Sequence, residues 1–129
     1  MKAAWGEAYF PYLYRNHPDA SYDPAAGPMA WDLYREMWGS NGEFVIDGNL
    51  ASVEYGDRLR ALRMPTLITA GDHDECDPAM SREMQELIPG SKLVIFPRSG
   101  HMTFVDQTAM FLQAVDEFLG SPASPPGVH

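Results

Sequence analysis

The sequence predicts an α/β fold with parallel strands, and three observations predict it. Two short apolar runs, Pro65–Gly71 and Lys92–Phe96, have the length and composition of strands, the first suiting a parallel-sheet strand buried on both faces. Segments with helical apolar spacing follow each run, so the order reads strand, helix, strand, helix. A polar, glycine-containing loop follows each strand, where open α/β sheets place their sites.

Residues 1–50 carry Trp5, Trp31 and Trp38 and most of the tyrosines, and are proline-rich and poorly periodic. Tyr9-Phe10-Pro11-Tyr12-Leu13-Tyr14 reads as a helix or aromatic stretch interrupted by proline. His17-Pro18-Asp19 and Asp23-Pro24 mark turns or loops. Trp31 to Trp38 suits a short helix with Trp31, Tyr34 and Trp38 near one face. Asn41-Gly42 and Asp47-Gly48 are turn signals, and Glu54 to Leu62 is expected to be helical. After the first strand, Ala79 to Ile88 places Met80, Met84, Leu87 and Ile88 on one stripe, with Pro78 at a tolerated position and Pro89-Gly90 as the stop. After the second strand and the loop Pro97–His101, Thr108 to Leu119 is amphipathic, with Phe111, Leu112, Val115, Phe118 and Leu119 on one face and Gly120 as its cap. Residues 121–129 read as a frayed tail. The expected organisation is therefore a 1–50 region, a 51–120 α/β region and a 121–129 tail.

Composition narrows the function classes. The hydrophobic fraction of 45% supports a packed core and argues against disorder. No apolar run reaches the roughly 18–20 residues of a membrane span. Lys and Arg total 9 against 18 Asp and Glu, a net charge of −9, which disfavours nucleic acid and anionic membranes as partners. The single cysteine, Cys76, excludes an internal disulfide and fits a reducing cytoplasm.

Chemistry concentrates in the two strand-end loops, Gly71-Asp72-His73-Asp74-Glu75-Cys76-Asp77-Pro78 and Ser99-Gly100-His101-Met102. On adjacent parallel strands these loops are neighbours, so a carboxylate of the first can reach His101 of the second. A carboxylate bonded to one imidazole nitrogen fixes the tautomer and leaves the other nitrogen as a general base. His73 has no second histidine at ligand spacing, so no metal is expected there with Asp72 and Asp77. Cys76 reads as a small, partly buried residue rather than a nucleophile.

Residues 63–119 resemble the C-terminal end of the α/β-hydrolase fold: apolar strand, Gly-x-x-Asp, Pro-Gly-Ser, apolar strand, Ser-Gly-His-Met. Acid before histidine also matches the chain order of that superfamily. The resemblance makes Asp74, rather than Asp72 or Asp77, the triad acid, and His101 the triad base. Upstream, Glu7-Ala8, Tyr14-Arg15-Asn16-His17, Tyr34-Arg35-Glu36-Met37-Trp38-Gly39, Gly42-Glu43-Phe44 and Gly48-Asn49-Leu50 resemble the helical cap and cap-to-core junction of proline iminopeptidases and related amino-acid amidases. The resemblance covers nearly all of residues 5–119 and makes residues 1–50 part of a cap. It implies a serine hydrolase that releases an N-terminal proline or another residue from peptides or amino-acid amides, without metal or organic cofactor. It further implies that Glu43 and Glu75 hold the substrate's cationic amine, with Tyr34 as an assisting hydroxyl. The rival readings are another capped α/β-hydrolase (esterase, lactonase or epoxide hydrolase) and a non-catalytic, self-associating binding module.

The nucleophile elbow of such enzymes is Gly-x-Ser-x-Gly. Ser21, Ser40, Ser52, Ser81, Ser91, Ser99, Ser121 and Ser124 all fail it, and no glycine-run oxyanion loop is present. The expectation is an acid and a base without their nucleophile, hence a chain inactive alone. It is read as a fragment or truncated gene product, a split-enzyme half that meets the N-terminal half of the hydrolase fold, or a relic that self-associates.

Overall fold

The computed structural model describes residues 10–15, 29–42 and 45–120. Glu43, Glu7, Ala8 and the 121–129 tail lie outside the described residues. The chain forms two compact units: residues 1–18 with 56–129, and residues 19–55. Residues 10–15 fall in the same unit as the α/β elements.

The larger unit contains helix α1 (Phe10–Leu13) and, after the smaller unit's helix α2 (Trp31–Trp38), helix α3 (Gly56–Leu59), strand β1 (Leu67–Gly71), helix α4 (Pro78–Leu87), strand β2 (Lys92–Phe96), helix α5 (Thr103–Asp106) and helix α6 (Thr108–Gly120). Strands β1 and β2 pair in parallel, in register from Leu67↔Lys92 to Gly71↔Phe96. The ladder continues one step at each end, with Lys92 N–H donating to the Thr66 carbonyl (2.9 Å) and Asp72 N–H to the Phe96 carbonyl (3.0 Å). Parallel strands need a crossover, and α4 supplies it. Asp77 caps α4: its carboxylate accepts the Ala79 N–H at 2.8 Å, while Pro78 occupies the first turn, where its missing N–H costs nothing. Gly90, at φ 73°, lets the chain reverse into β2.

Burial differs from the two-faced pattern expected of β1. Ile68, Ala70 and Gly71 are buried on β1, but Leu67 and Thr69 are half-buried, and on β2 only Phe96 is buried. The reason is the size of the sheet: among the described residues it has two strands, so each strand keeps an open edge and a thinly covered face. Leu13, Tyr14 and Ile88 complete the apolar core. On α4 Ser81 is buried, as is Ile88 just after the helix, while Met80 and Met84 are exposed. On α6 the inward residues are Phe111, Ala114, Val115 and Phe118, half-buried, with Leu112 and Leu119 in solvent. Gly120 closes α6 as its last helical residue. The helix expected over 54–62 is confined to α3, because the chain turns at Arg60-Ala61.

In the smaller unit, Trp31, Tyr34 and Trp38 do line one face of α2, with ring centroids 5.7 and 6.4 Å apart. The Asp47 carboxylate accepts the Ser40 N–H and hydroxyl, each at 2.7 Å, and the Ser40 hydroxyl holds the carboxyl below its ordinary value. Among the described residues, no helix is long and apolar enough to cross a membrane.

Candidate active site

The β1–α4 loop assigns a separate partner to each of its aspartates. Asp77 caps α4, as above. Asp72 accepts the His73 Nδ1–H at 2.6 Å and, across the strand ends, the Ser99 N–H at 3.1 Å. Asp74 faces inward. Its Oδ2 accepts the Gly71 N–H (3.3 Å), and its Oδ1 accepts the Cys76 N–H (2.9 Å) and the Nδ1–H of His101 (2.9 Å). The Asp74 side chain is 4% exposed and that of His101 48%. One end of the hydrogen bond is therefore locked in the protein, and the imidazole edge remains open to a reactant. With Nδ1 donating to a carboxylate, the neutral ring keeps its lone pair on Nε2, the arrangement a general base needs.

The backbone explains why the β2–α5 loop can present His101. Ser99 is fully buried, and the His73 N–H donates to its carbonyl at 3.0 Å. The His101 and Met102 N–H groups donate to the carbonyls of Tyr12 (2.7 Å) and Leu13 (2.9 Å). Gly100 packs directly on that segment, and a Cβ there would overlap the Tyr12 and Leu13 carbonyls. Gly71 is equally constrained, since a Cβ would run into the carbonyls of Ser99 and Gly100. These glycines let the two loops approach closely enough for a direct Asp74–His101 bond.

Electrostatics separate the titratable groups. Burial raises the Asp72 carboxyl, but hydrogen bonds from His73 and from the Arg98 and Ser99 backbone, with the His73 charge, outweigh it and lower the group to about 2. A carboxyl lowered in the folded state stabilises that state above its unfolded value, near 4, and the benefit disappears as pH falls through the folded value. Asp72→Asn is therefore expected to lower the urea midpoint at neutral pH, with the difference from the parent chain shrinking between about pH 4 and pH 2. A difference independent of pH would contradict this. Burial first, then the charges of Asp74, Glu75 and Asp77, push the Cys76 thiol up, so it stays protonated near neutrality and is a poor nucleophile. Among the described residues, no group of three or more His, Cys, Asp or Glu side chains could hold a metal.

Of the residues singled out from sequence, the structure brings Asp74 and His101 together, and Glu75 sits exposed beside them. Tyr34 belongs to the other unit, half-buried on α2. Two features had no sequence signal: the Tyr12 and Leu13 carbonyls, and Asp106, whose Oδ2 accepts the Gly100 N–H at 2.8 Å and the Arg15 N–H at 2.7 Å.

The family model of the alpha/beta hydrolase fold matches residues 3–108. The chain belongs to the α/β-hydrolase fold family. Within it, the chain is similar to the proline iminopeptidase of Lactiplantibacillus plantarum, 39% identical over 88 residues, covering 68% of this chain and 30% of that protein. It is also similar to that of Lactobacillus helveticus, 41% identical over 86 residues, covering 67% and 29%. Among solved structures, the proline iminopeptidase of Mycobacterium smegmatis superposes with a TM-score of 0.74 at 26% identity, over 92% of this chain and 43% of that one. The chain thus matches less than a third of the length of these curated relatives. Within that fold family, the chain contributes the parallel pair β1–β2, and each strand ends in one of the two loops that carry Asp74 and His101.

Proposed function

We propose that this chain supplies the acid and base of a serine hydrolase resembling proline iminopeptidase, acting in the cytoplasm on peptides or amino-acid amides. The observation that carries the proposal is the Asp74–His101 hydrogen bond of 2.9 Å between the loops that end adjacent parallel strands. In the proposed reaction a serine hydroxyl attacks the scissile carbonyl while His101 Nε2 takes its proton. The proton then passes to the leaving amine, and water, deprotonated by the same nitrogen, releases the acyl group. Asp74 holds the ring and stabilises the imidazolium. Glu75 and Glu43 receive the substrate's cationic amine, assisted by the Tyr34 hydroxyl, and no metal or cofactor takes part.

None of the serines in these residues lies in a Gly-x-Ser-x-Gly elbow, so the polypeptide alone is expected not to hydrolyse a Pro-arylamide. The proposed partner is a polypeptide carrying the elbow and the remaining strands of a hydrolase sheet. The test mixes the chain with that portion of a related proline iminopeptidase. Hydrolysis of Pro-arylamide by the mixture and by neither part supports the proposal. In the active mixture Glu75→Gln is expected to lower kcat/KM about 10- to 100-fold, the scale of one charge-assisted hydrogen bond. Rates unchanged by Glu75→Gln and Glu43→Gln would favour a capped esterase or lactonase. A silent mixture, with the chain self-associated on sizing, would favour a binding module whose open strand edges pair.

A further inference from the structure

Every backbone N–H from Ser99 to Met102 is held by an acceptor from outside that stretch of loop. Ser99 donates to Asp72, Gly100 to Asp106, His101 to the Tyr12 carbonyl and Met102 to the Leu13 carbonyl. Asp106 differs from the rest of this cradle. It stands at the end of α5, and its own N–H donates to the Met102 carbonyl at 3.0 Å. Its side chain reaches back to Gly100, immediately before His101. The same oxygen, Oδ2, takes the Arg15 N–H at 2.7 Å, although Arg15 is 91 residues away in sequence. Arg15 follows the Tyr12–Leu13 carbonyls that receive the His101 and Met102 amides. One carboxylate oxygen therefore ties both sides of the contact on which the His101 backbone rests.

We propose that Asp106 is a positioning residue for His101. It sets the His101 backbone so that Nδ1 meets Asp74, without touching substrate or the reacting atoms. The proposal rests on reading Asp74–His101 as the acid–base pair. What the Gly100 and Arg15 contacts require of Asp106 is an acceptor oxygen, because each is an N–H group donating to the same atom. Asn keeps such an oxygen and Ala does not. Groups that orient a functional side chain without contacting the reaction typically matter 10- to 100-fold to its performance.

The test uses the full chain labelled with 15N and reads the ring nitrogens of His101, assigned by their loss in His101→Gln. The expected result in the parent chain at neutral pH is the pattern of a single tautomer protonated on Nδ1. Asp106→Ala is expected to lose that pattern toward a tautomer average. It is also expected to speed amide exchange at Gly100 and Arg15 by about tenfold or more, the scale of a hydrogen bond to a charged group. Asp106→Asn is expected to restore both. An Asp106→Ala chain that keeps the parent ring pattern, or an Asp106→Asn chain that behaves like the alanine variant, overturns the proposal. If the alanine variant does not fold, the parent and the asparagine variant decide: unprotected Gly100 and Arg15 amides in the folded parent overturn it. Asp74→Asn separates the two levels of inference. A ring pattern unmoved by Asp74→Asn overturns the acid–base pair and the Asp106 role with it. A pattern lost in Asp74→Asn but kept in Asp106→Ala overturns the Asp106 role alone.

Discussion

Asp74→Asn is expected to lower kcat roughly 10⁴-fold in a hydrolase reconstituted from this chain and a polypeptide carrying the nucleophile elbow, the scale of the same change in other Ser-His-Asp triads. The cause lies in proton placement. Asp74 Oδ1 accepts the His101 Nδ1–H, so the lone pair needed to take the serine proton stays on Nε2. An asparagine amide presents a donor in place of one carboxylate oxygen. If that donor faces His101, Nδ1 becomes the acceptor and Nε2 carries the proton, so the base is occupied before the reaction begins. If it faces the other way, it meets the Gly71 N–H, and donor confronts donor in a side chain only 4% exposed. Either placement leaves a buried polar group unpaired, at a cost of about 1–3 kcal/mol. The variant is therefore expected to lose stability as well as rate. Substrate binding should change far less than kcat, because the Asp74 carboxylate is taken up by the Gly71 and Cys76 amides and the His101 ring. A kcat within tenfold of the parent would sink the assignment of Asp74 as the orienting acid.

How much of this was legible in the sequence follows from what each feature depends on. Strands β1 and β2 and helices α4 and α6 depend on apolar spacing and flanking Gly and Pro, and these are visible in a one-dimensional string. Helix α5 has four residues, too few to show a period, and the sequence reading assigns no element there. The burial of β1 on both faces is expected from its composition. Composition alone does not say how many strands will flank a strand, so that expectation failed on Leu67 and Thr69. At the site, Asp74 and His101 were legible because each follows a strand at a spacing that the resemblance sharpened. The geometry then separated Asp74 from Asp72 and Asp77 by giving the latter two other partners. The Tyr12 and Leu13 carbonyls were invisible, because a main-chain acceptor is the same for any residue. Asp106 was invisible for a related reason: the Gly100 and Arg15 N–H groups it accepts are main-chain groups, and Arg15 is 91 residues distant.

Phe96→Ala is expected to destabilise the chain by about 3–5 kcal/mol, the usual range for removing a buried phenylalanine ring. Phe96 is fully buried, and its ring lies 6.1 Å from that of Phe111 on α6. Because this sheet has two strands among the described residues, few other side chains are placed to close the cavity left behind. Small domains are stable by only about 5–15 kcal/mol, so a loss of this size would populate the unfolded chain measurably. Urea denaturation of the full chain checks it, with a lower midpoint and a nearly unchanged slope. Phe104→Ala is the control. That ring packs against Phe111 at 6.0 Å but is 51% exposed, and its loss is expected to cost about 1 kcal/mol. The stability effect also bears on the site. Phe96 is the last residue of β2, and its carbonyl receives the Asp72 N–H, so the ring anchors the strand ends from which both loops depart. Amide exchange from Ser99 to Met102 should therefore accelerate in Phe96→Ala under conditions where the variant is still folded, and not in Phe104→Ala. Equal costs for the two variants would mean that the end of β2 is not the anchor of the His101 loop, and that the contacts with Tyr12, Leu13 and Asp106 hold it without the core beneath.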